Sequence, residues 1–401
     1  MDRFWEKVRD FFGLEHNVMV RTGSAVLTGI GTNLWEGYLS KVLTSYGATG
    51  KMIGLFGSAG KLAGIGFPFI GGALSDRLGR GRAVIFASLL GVAGYLFYIL
   101  APSYWLFFPG YVLIAAGVSF GFMGSLALTG ETVGRNRRSV SIAAQEAVIY
   151  LPAVIIPPVG GMMIDSMGIV AGFRVGLIVT VVLSLLAIAL QHFLYRLPPP
   201  TATRFSLDIR KAWQAMSPPL RRQLLADVLV RFGSGMAALF TVLYLMDILG
   251  IKALHFGLLL AMERAMRVTL PIPVGKLADR KGIGSRRPFV ALTYLFFALF
   301  PIALALIPSS RWLVPVYILA GLRHSGETSR KALILDLAGK GEHGKIVGLY
   351  YMLLGVGTLP SSFIAGWIWE WNPRILFVVS GAISLVGLAW FVLKGPKGEK
   401  A

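Results

Sequence analysis

Twelve apolar runs of near-spanning length recur along this chain, at about 18–40, 52–75, 83–101, 105–129, 141–164, 171–195, 223–248, 255–278, 288–307, 311–335, 345–369 and 374–393. An α-helix rises about 1.5 Å per residue, so about 20 apolar residues cross about 30 Å of hydrocarbon. Only 14% of the residues are charged, against about 25% in a typical soluble domain. That supply cannot cover a water-facing surface of this length, and most of the chain is expected to lie in lipid. Backbone polar groups find no water there, which leaves the α-helix as the spanning unit for runs of this length. We therefore expect an all-α, polytopic membrane protein with twelve transmembrane helices.

Residues 1–17 are charged and amphipathic and carry no continuous apolar core, so we expect no cleavable signal but a surface-lying lead-in to the first span. The one long polar interval, 196–222, is basic and proline-rich and divides the spans six and six. The domains expected are thus 1–195, a linker 196–222, and 223–401. Trp213 with Arg210 and Lys211 suits a short interfacial helix in that linker, and a plain solvated segment fits equally well.

The charge pattern orients the spans. With a cytoplasmic amino terminus, the two tails and five loops on that side, with the span ends flanking them, hold 28 of the 39 Lys and Arg. The six opposite loops hold Lys41, Lys51, Arg174, Lys252, Arg311 and Arg374. The positive-inside rule then places both termini in the cytoplasm, as expected of a prokaryotic inner-membrane protein. It also absorbs the net charge of +20 in loops facing an anionic leaflet, so we expect lipid rather than nucleic acid as the partner of these cations. Cysteine is absent, and the five histidines show no H-E-x-x-H spacing. We expect no disulfide, no metal site, no cofactor and no enzymatic activity.

Two loops repeat one motif 203 residues apart. The first reads Gly72-Ala-Leu74-Ser-Asp76-Arg77-Leu-Gly79-Arg80-Gly-Arg82, and the second Gly275-Lys-Leu277-Ala-Asp279-Arg280-Lys-Gly282. A parallel internal repeat is the simplest cause, and it makes the expected architecture two pseudo-symmetric six-helix bundles. Here the chain resembles the major facilitator superfamily, whose signature loop runs approximately G-x-L-a-D-R-x-G-R. The resemblance implies a conformational latch at Gly72, Asp76, Arg77, Gly79 and Arg80, with Asp279 and Arg280 as its second copy. Pro157-Pro158-Val159-Gly160-Gly161 is similar to the end of a second family motif associated with antiporters, and an ordinary Pro/Gly kink accounts for it equally. Residues 105–130 lack the arginine that assists proton movement in many members, which argues against proton coupling by that route.

Ionisable residues inside spans cost about 2.5–3.5 kcal/mol each on insertion scales, so each needs a partner or a wet cavity. The candidates for a substrate or proton pathway are Glu36, Lys61, Glu146, Glu263, Arg264, Arg267, Arg323, His324 and Glu327. Asp227/Arg231, Glu263/Arg267 and Arg323/Glu327 stand four residues apart, which on an unbroken helix lets each pair neutralise itself. Arg264, Arg267 and Arg323 outnumber Glu263 and Glu327, an excess that favours an anionic group on the substrate. His324 fits a hydrogen-bonded core residue as well as a charged one.

We expect a monomeric secondary transporter moving a small organic solute, anionic or amphipathic, by alternating access, with protons as candidate coupling ion and export as candidate direction. The competing expectation is a transport-inactive sensor or scaffold with the same fold. Replacing Asp76 by Asn should leave abundance near normal and cut transport strongly, because a loop charge outside lipid acts on the equilibrium between states. Uptake kinetics equal to the parent's would remove the latch role.

Overall fold

The computed structural model describes residues 15–132, 138–195, 209–278, 283–338 and 343–396. Within these stretches the side chains of 69, 71–78, 80, 122–132, 138–144, 212, 283–285 and 343–344 lie outside the description. The helices of the first half are α1 (His16–Thr32), α2 (Leu39–Ser45), α3 (Gly50–Leu78), α4 (Arg80–Leu100), α5 (Phe107–Thr132), α6 (Arg138–Ile155), α7 (Pro157–Met167) and α8 (Ile169–Leu194). Those that follow are α9 (Ile209–Ala215), α10 (Pro218–Ala238), α11 (Ala253–Thr269), α12 (Pro271–Ala278), α13 (Ile283–Leu306), α14 (Leu313–Leu322), α15 (Glu327–Leu337), α16 (His343–Thr358), α17 (Pro360–Trp371) and α18 (Pro373–Lys394). Among the described residues there is no strand.

Among the described residues, seven helical stretches are long and apolar enough to cross a membrane. An eighth follows if α10 and the bent turn Thr241–Ile248 count as one span. Each expected run falls on helix, but several are broken where continuous helices are expected. The first run breaks between Thr32 and Leu39, the eighth between Thr269 and Pro271, and the tenth between Leu322 and Glu327. Proline is the cause at Pro157, Pro271 and Pro360, since it lacks the amide proton that the preceding turn needs. Within the expected linker, Ile209–Ala215 is helical, and α10 begins at Pro218 behind a Ser217 cap that accepts from the Leu220 amide at 3.4 Å.

The chain separates into two compact units, one of residues 1–47 with 63–205 and one of 48–62 with 206–401. In the first, α1 packs on α8, and α4 packs on α5 and α8. Its core is aromatic: Trp35 meets Tyr95, Tyr98 and Phe173 edge-on, with ring centroids 5.4–5.8 Å apart. The Trp35 indole donates to Thr180 Oγ1 at 2.9 Å, which gives its buried N–H the partner that such a group requires. The α4–α5 seam is built on glycine, since a Cβ at Gly94 would lie 2.6 Å from the Gly110 carbonyl oxygen and 2.6 Å from Ile114 Cγ1. Close backbone approach of this kind drives helix association in lipid, where burial of apolar surface contributes little.

In the second unit α10 and α13 both pack on α18, α11 packs on α14, and α15 contacts α13, α12 and α10. The first residues of α3 belong to this unit and lie close against α17. A Cβ at Gly54 would strike the Ser362 carbonyl oxygen, and one at Gly366 would strike that of Gly50. Asn372 caps α18, accepting from the amides of Arg374 and Ile375 at 2.9 and 3.2 Å.

These seams set a stability test in purified protein. Gly94→Val should lower the thermal midpoint by several degrees, because overpacking a filled seam costs about 1–3 kcal/mol. Gly64→Ala, where nothing lies within 4 Å of the added carbon, should leave the midpoint unchanged or higher. Equal midpoints for the two variants would contradict the close approach.

Candidate functional site

The second unit holds a buried ionic network whose pairs run between helices. Asp227 on α10 is fully buried and takes Arg330 of α15, the nearest approach being 2.6 Å from Nη1 to Oδ2. Arg330 also bonds Glu327, with Nη2 and Nε at 3.1 and 3.2 Å from Oε2. Glu327 takes its second cation, Arg231, from α10. Asp227 with Arg330 and Arg231 with Glu327 thus form two rungs in opposite residue order, as antiparallel helices of alternating charge require. Two acidic and two basic side chains leave this four-membered set neutral.

Hydroxyl and aromatic groups complete it. Tyr294 of α13 and Tyr350 of α16 donate to the two oxygens of Asp227, and Gln223 donates to Tyr294 Oη at 2.6 Å. A buried carboxylate needs such donors as well as a cation, because every lone pair left without a partner keeps its desolvation cost. The Arg231 guanidinium lies over the Phe297 ring, 4.5 Å from its centroid. Exposure rises along the network: Asp227 and Arg330 are closed off at 0 and 5%, whereas Glu327 and Arg231 are open at 18 and 25%.

A second cluster lies on α11 and the break after α14. Glu263 accepts from Arg323 Nη2 at 2.5 Å and has His324 Nε2 at 3.3 Å. Arg323 stacks over Phe300, 4.9 Å from its centroid, and His324 stands edge-on to Phe297 at 6.2 Å. His324 thus has a hydrogen-bond partner within the cluster.

All three expected self-neutralising pairs are thereby corrected. Asp227 turns to Arg330 and not Arg231, Glu263 to Arg323 and not Arg267, and Glu327 to Arg231 and Arg330 and not Arg323. The break explains the last. Residues 323–326 form an overwound turn in which His324 and Ser325 donate to Gly321 and Leu322 at 3.1 and 3.0 Å, so the four-residue register does not carry across it. Gly326 is needed there: its amide donates to Thr293 Oγ1 at 3.0 Å, and a Cβ would meet the Phe289 carbonyl oxygen at 2.5 Å. Arg323, expected as a cation for substrate, has a carboxylate of its own.

The other candidates are spread out. Glu36 opens a short 3₁₀ turn after α1 and is exposed, and Glu146 is exposed on α6. Arg264 and Arg267 lie on α11, the former half-buried and the latter exposed. Lys61, half-buried on α3, reaches the Thr358 carbonyl at 3.3 Å and the Ser361 hydroxyl. Of the latch residues, Gly79 adopts φ +81° as it starts α4, a backbone angle that favours glycine. Gly72, Asp76, Arg77 and Arg80 lie among residues whose side chains are not described, and Asp279 and Arg280 lie outside the described residues. Around Asp227, Arg231 and Arg330, which stand out in sequence as ionisable residues in apolar runs, the structure gathers Tyr294, Tyr350 and Gln223. The tyrosines carry no such signal.

The family model described as Major Facilitator Superfamily matches residues 22–326 and 224–401, and the chain belongs to that superfamily. An uncharacterised transporter of this type from Methanocaldococcus jannaschii is 26% identical over 119 residues, 29% of each chain. The class B tetracycline resistance protein of Escherichia coli is 28% identical over 142 residues, 34% of each chain. The chain thus spans about a third of the length of these curated relatives. Solved structures share the fold along nearly the whole chain. A nucleoside transporter superposes with TM-score 0.75 at 13% identity, covering 94% of this chain and all of that one. A peptide transporter in complex with sulfate gives 0.73 at 16%, covering 94% of each. The chain is a multi-pass membrane protein of a transporter family.

The Asp227–Arg330 pair predicts a double-variant outcome. Asp227→Asn and Arg330→Gln should each lower stability by about 3–5 kcal/mol, because each strands a buried charge. The double variant should recover a good part of the loss in thermal unfolding of purified protein. Strictly additive losses would contradict the pairing.

Proposed function

We propose that this chain is a secondary active transporter that moves a small organic solute carrying an anionic group, by alternating access, with protons as the coupling ion. One observation carries the reading: Glu327 stands at the open end of a neutral network and shares two arginines, one of them anchored on a closed-off aspartate. Protonation of Glu327 removes the charge that holds Arg231. Arg231 then takes another anion, and a substrate anion is the natural candidate, since guanidinium holds carboxylate and phosphate alike in bidentate fashion. The substrate anion and the Glu327 carboxylate thereby compete for the same cation, so that a proton on Glu327 and an anion on Arg231 favour one another, which is a linkage between load and coupling ion.

The concentration of Lys and Arg in alternate loops supports placement in a prokaryotic inner membrane with both termini cytoplasmic. We take the spans to divide six and six about the linker, and the transporting form to be the monomer. The missing arginine of the fourth span is no obstacle here, because the proton would enter and leave through the second unit.

Proteoliposomes with an imposed pH gradient test the reading. Wild type should move a labelled organic anion down the linked gradient. Glu327→Gln should lose gradient-driven movement, at least tenfold, while retaining exchange of labelled for unlabelled solute. Gradient dependence equal to wild type in that variant would contradict the coupling role. Absence of any solute movement by wild type would favour the sensor or scaffold.

A further inference from the structure

Lys61 differs from the arginines of the network. It stands in the middle of α3, within an expected span, and its two acceptors are neutral: the Thr358 carbonyl oxygen at 3.3 Å and the Ser361 hydroxyl. Among the described residues no carboxylate lies within ion-pair distance of it. An ammonium group has three donors, and this one uses two.

The surroundings form a built seat for the ammonium. α16 ends at Thr358 and α17 starts at Pro360, and α3 is stitched to the break by two residues one turn apart. Ser58 donates to the Leu359 carbonyl at 2.9 Å and accepts from the Phe363 amide at 3.1 Å, while Lys61 takes the neighbouring carbonyl. The third wall is Gly235 of α10. A Cβ there would lie 2.7 Å from Lys61 Nζ and 2.7 Å from Ser361 Oγ, so the ammonium occupies space that exists because residue 235 has no side chain. Ser362, next in α17, donates to the Gly235 carbonyl at 3.4 Å and holds that wall in place. Carbonyl and hydroxyl dipoles hold a cation in lipid, but they do not cancel its charge, and a bound anion does.

We propose that Lys61 and Ser361 form an anion-binding subsite for an acidic oxygen group of the transported solute, a proposal that rests on the transporter reading for its cargo. A lysine ammonium is a compact point charge without a fixed fork, so the subsite accepts carboxylate, sulfate or phosphate oxygens alike. Neutral solutes leave the charge unbalanced, and cations are repelled. Ser361 gives the anion a hydroxyl beside the charge, and the third ammonium donor is the one left for it.

The test is equilibrium binding by the full-length purified protein in neutral detergent, with sodium sulfate as probe and chloride holding ionic strength constant. Wild type should show a saturable rise in thermal midpoint. Lys61→Met should need about ten- to a hundred-fold more sulfate for the same rise, the loss expected for a hydrogen bond to a charged group. Lys61→Arg should retain most of the response. Gly235→Ala should weaken it while keeping the charge, by pushing the ammonium off its seat. Titration curves that coincide for wild type and Lys61→Met would overturn the subsite, as would the lack of a saturable response in wild type. A response to phosphatidylglycerol micelles but not to sulfate would assign the seat to a lipid headgroup and also overturn it. The measurement needs no gradient, so a failure of transport would leave the subsite standing, and a failure of the subsite would leave the coupling role of Glu327 untouched.

Discussion

The second unit is organised by the contact between Asp227 and Arg330, a fully closed-off ion pair in helices that lie in lipid. Neither charge is tolerable alone there, since an isolated ion taken from water loses far more solvation than neighbouring dipoles return. The pair fixes where α15 stands against α10, and it brings Tyr294 and Tyr350 with it, because the carboxylate has lone pairs beyond those that one guanidinium can fill. Four helices are thereby held to one carboxylate. The open end, Glu327 with Arg231, inherits its geometry from the closed end, since Arg330 bonds both acids.

Such a network needs helices that are interrupted. An unbroken span from 311 to 335 sets Arg323 and Glu327 on one face and lets them neutralise each other. The turn at 323–326 separates them, sends Arg323 to Glu263 and frees Glu327 for the arginines of α10 and α15. Gly326, pressed against α13, makes the turn possible. The breaks at Pro271 and Pro360 act in the same sense, since each one brings polar groups of the backbone or of neighbouring side chains to a place where a partner from another helix can take them. At Pro360 the partner is α3, through Ser58 and Lys61.

The fold was legible from periodicity and charge, because a bilayer imposes one length on every span and one side on most loop cations. The family was legible from the loop at Gly72–Arg82, since its residue types answer a demand repeated in both halves. The site was legible only in part. Ionisable residues in apolar runs stand out, so Glu263, Arg323, His324, Glu327 and Lys61 were identifiable as candidates. Their partners were not, because helix spacing describes neighbours on the same helix, whereas Asp227 and Arg330 meet across 103 positions of sequence. The roles of Tyr294 and Tyr350 were not legible for another reason: a tyrosine in an apolar run fits a packed core, a cavity wall or a membrane interface, and nothing local says which hydroxyl will face a carboxylate.

The account stands on pairing between helices rather than along them, and exchanging the charges of one rung tests this most directly. The variant carrying Arg231→Glu with Glu327→Arg keeps opposite charges on α10 and α15, whereas Arg231→Glu alone places three acids around one arginine. Thermal unfolding of the two purified variants compares them under one condition. The account predicts a midpoint for the exchanged pair below wild type, because Arg330 loses Glu327, but clearly above that of the single change. A midpoint for the exchanged pair as low as that of Arg231→Glu alone would contradict it.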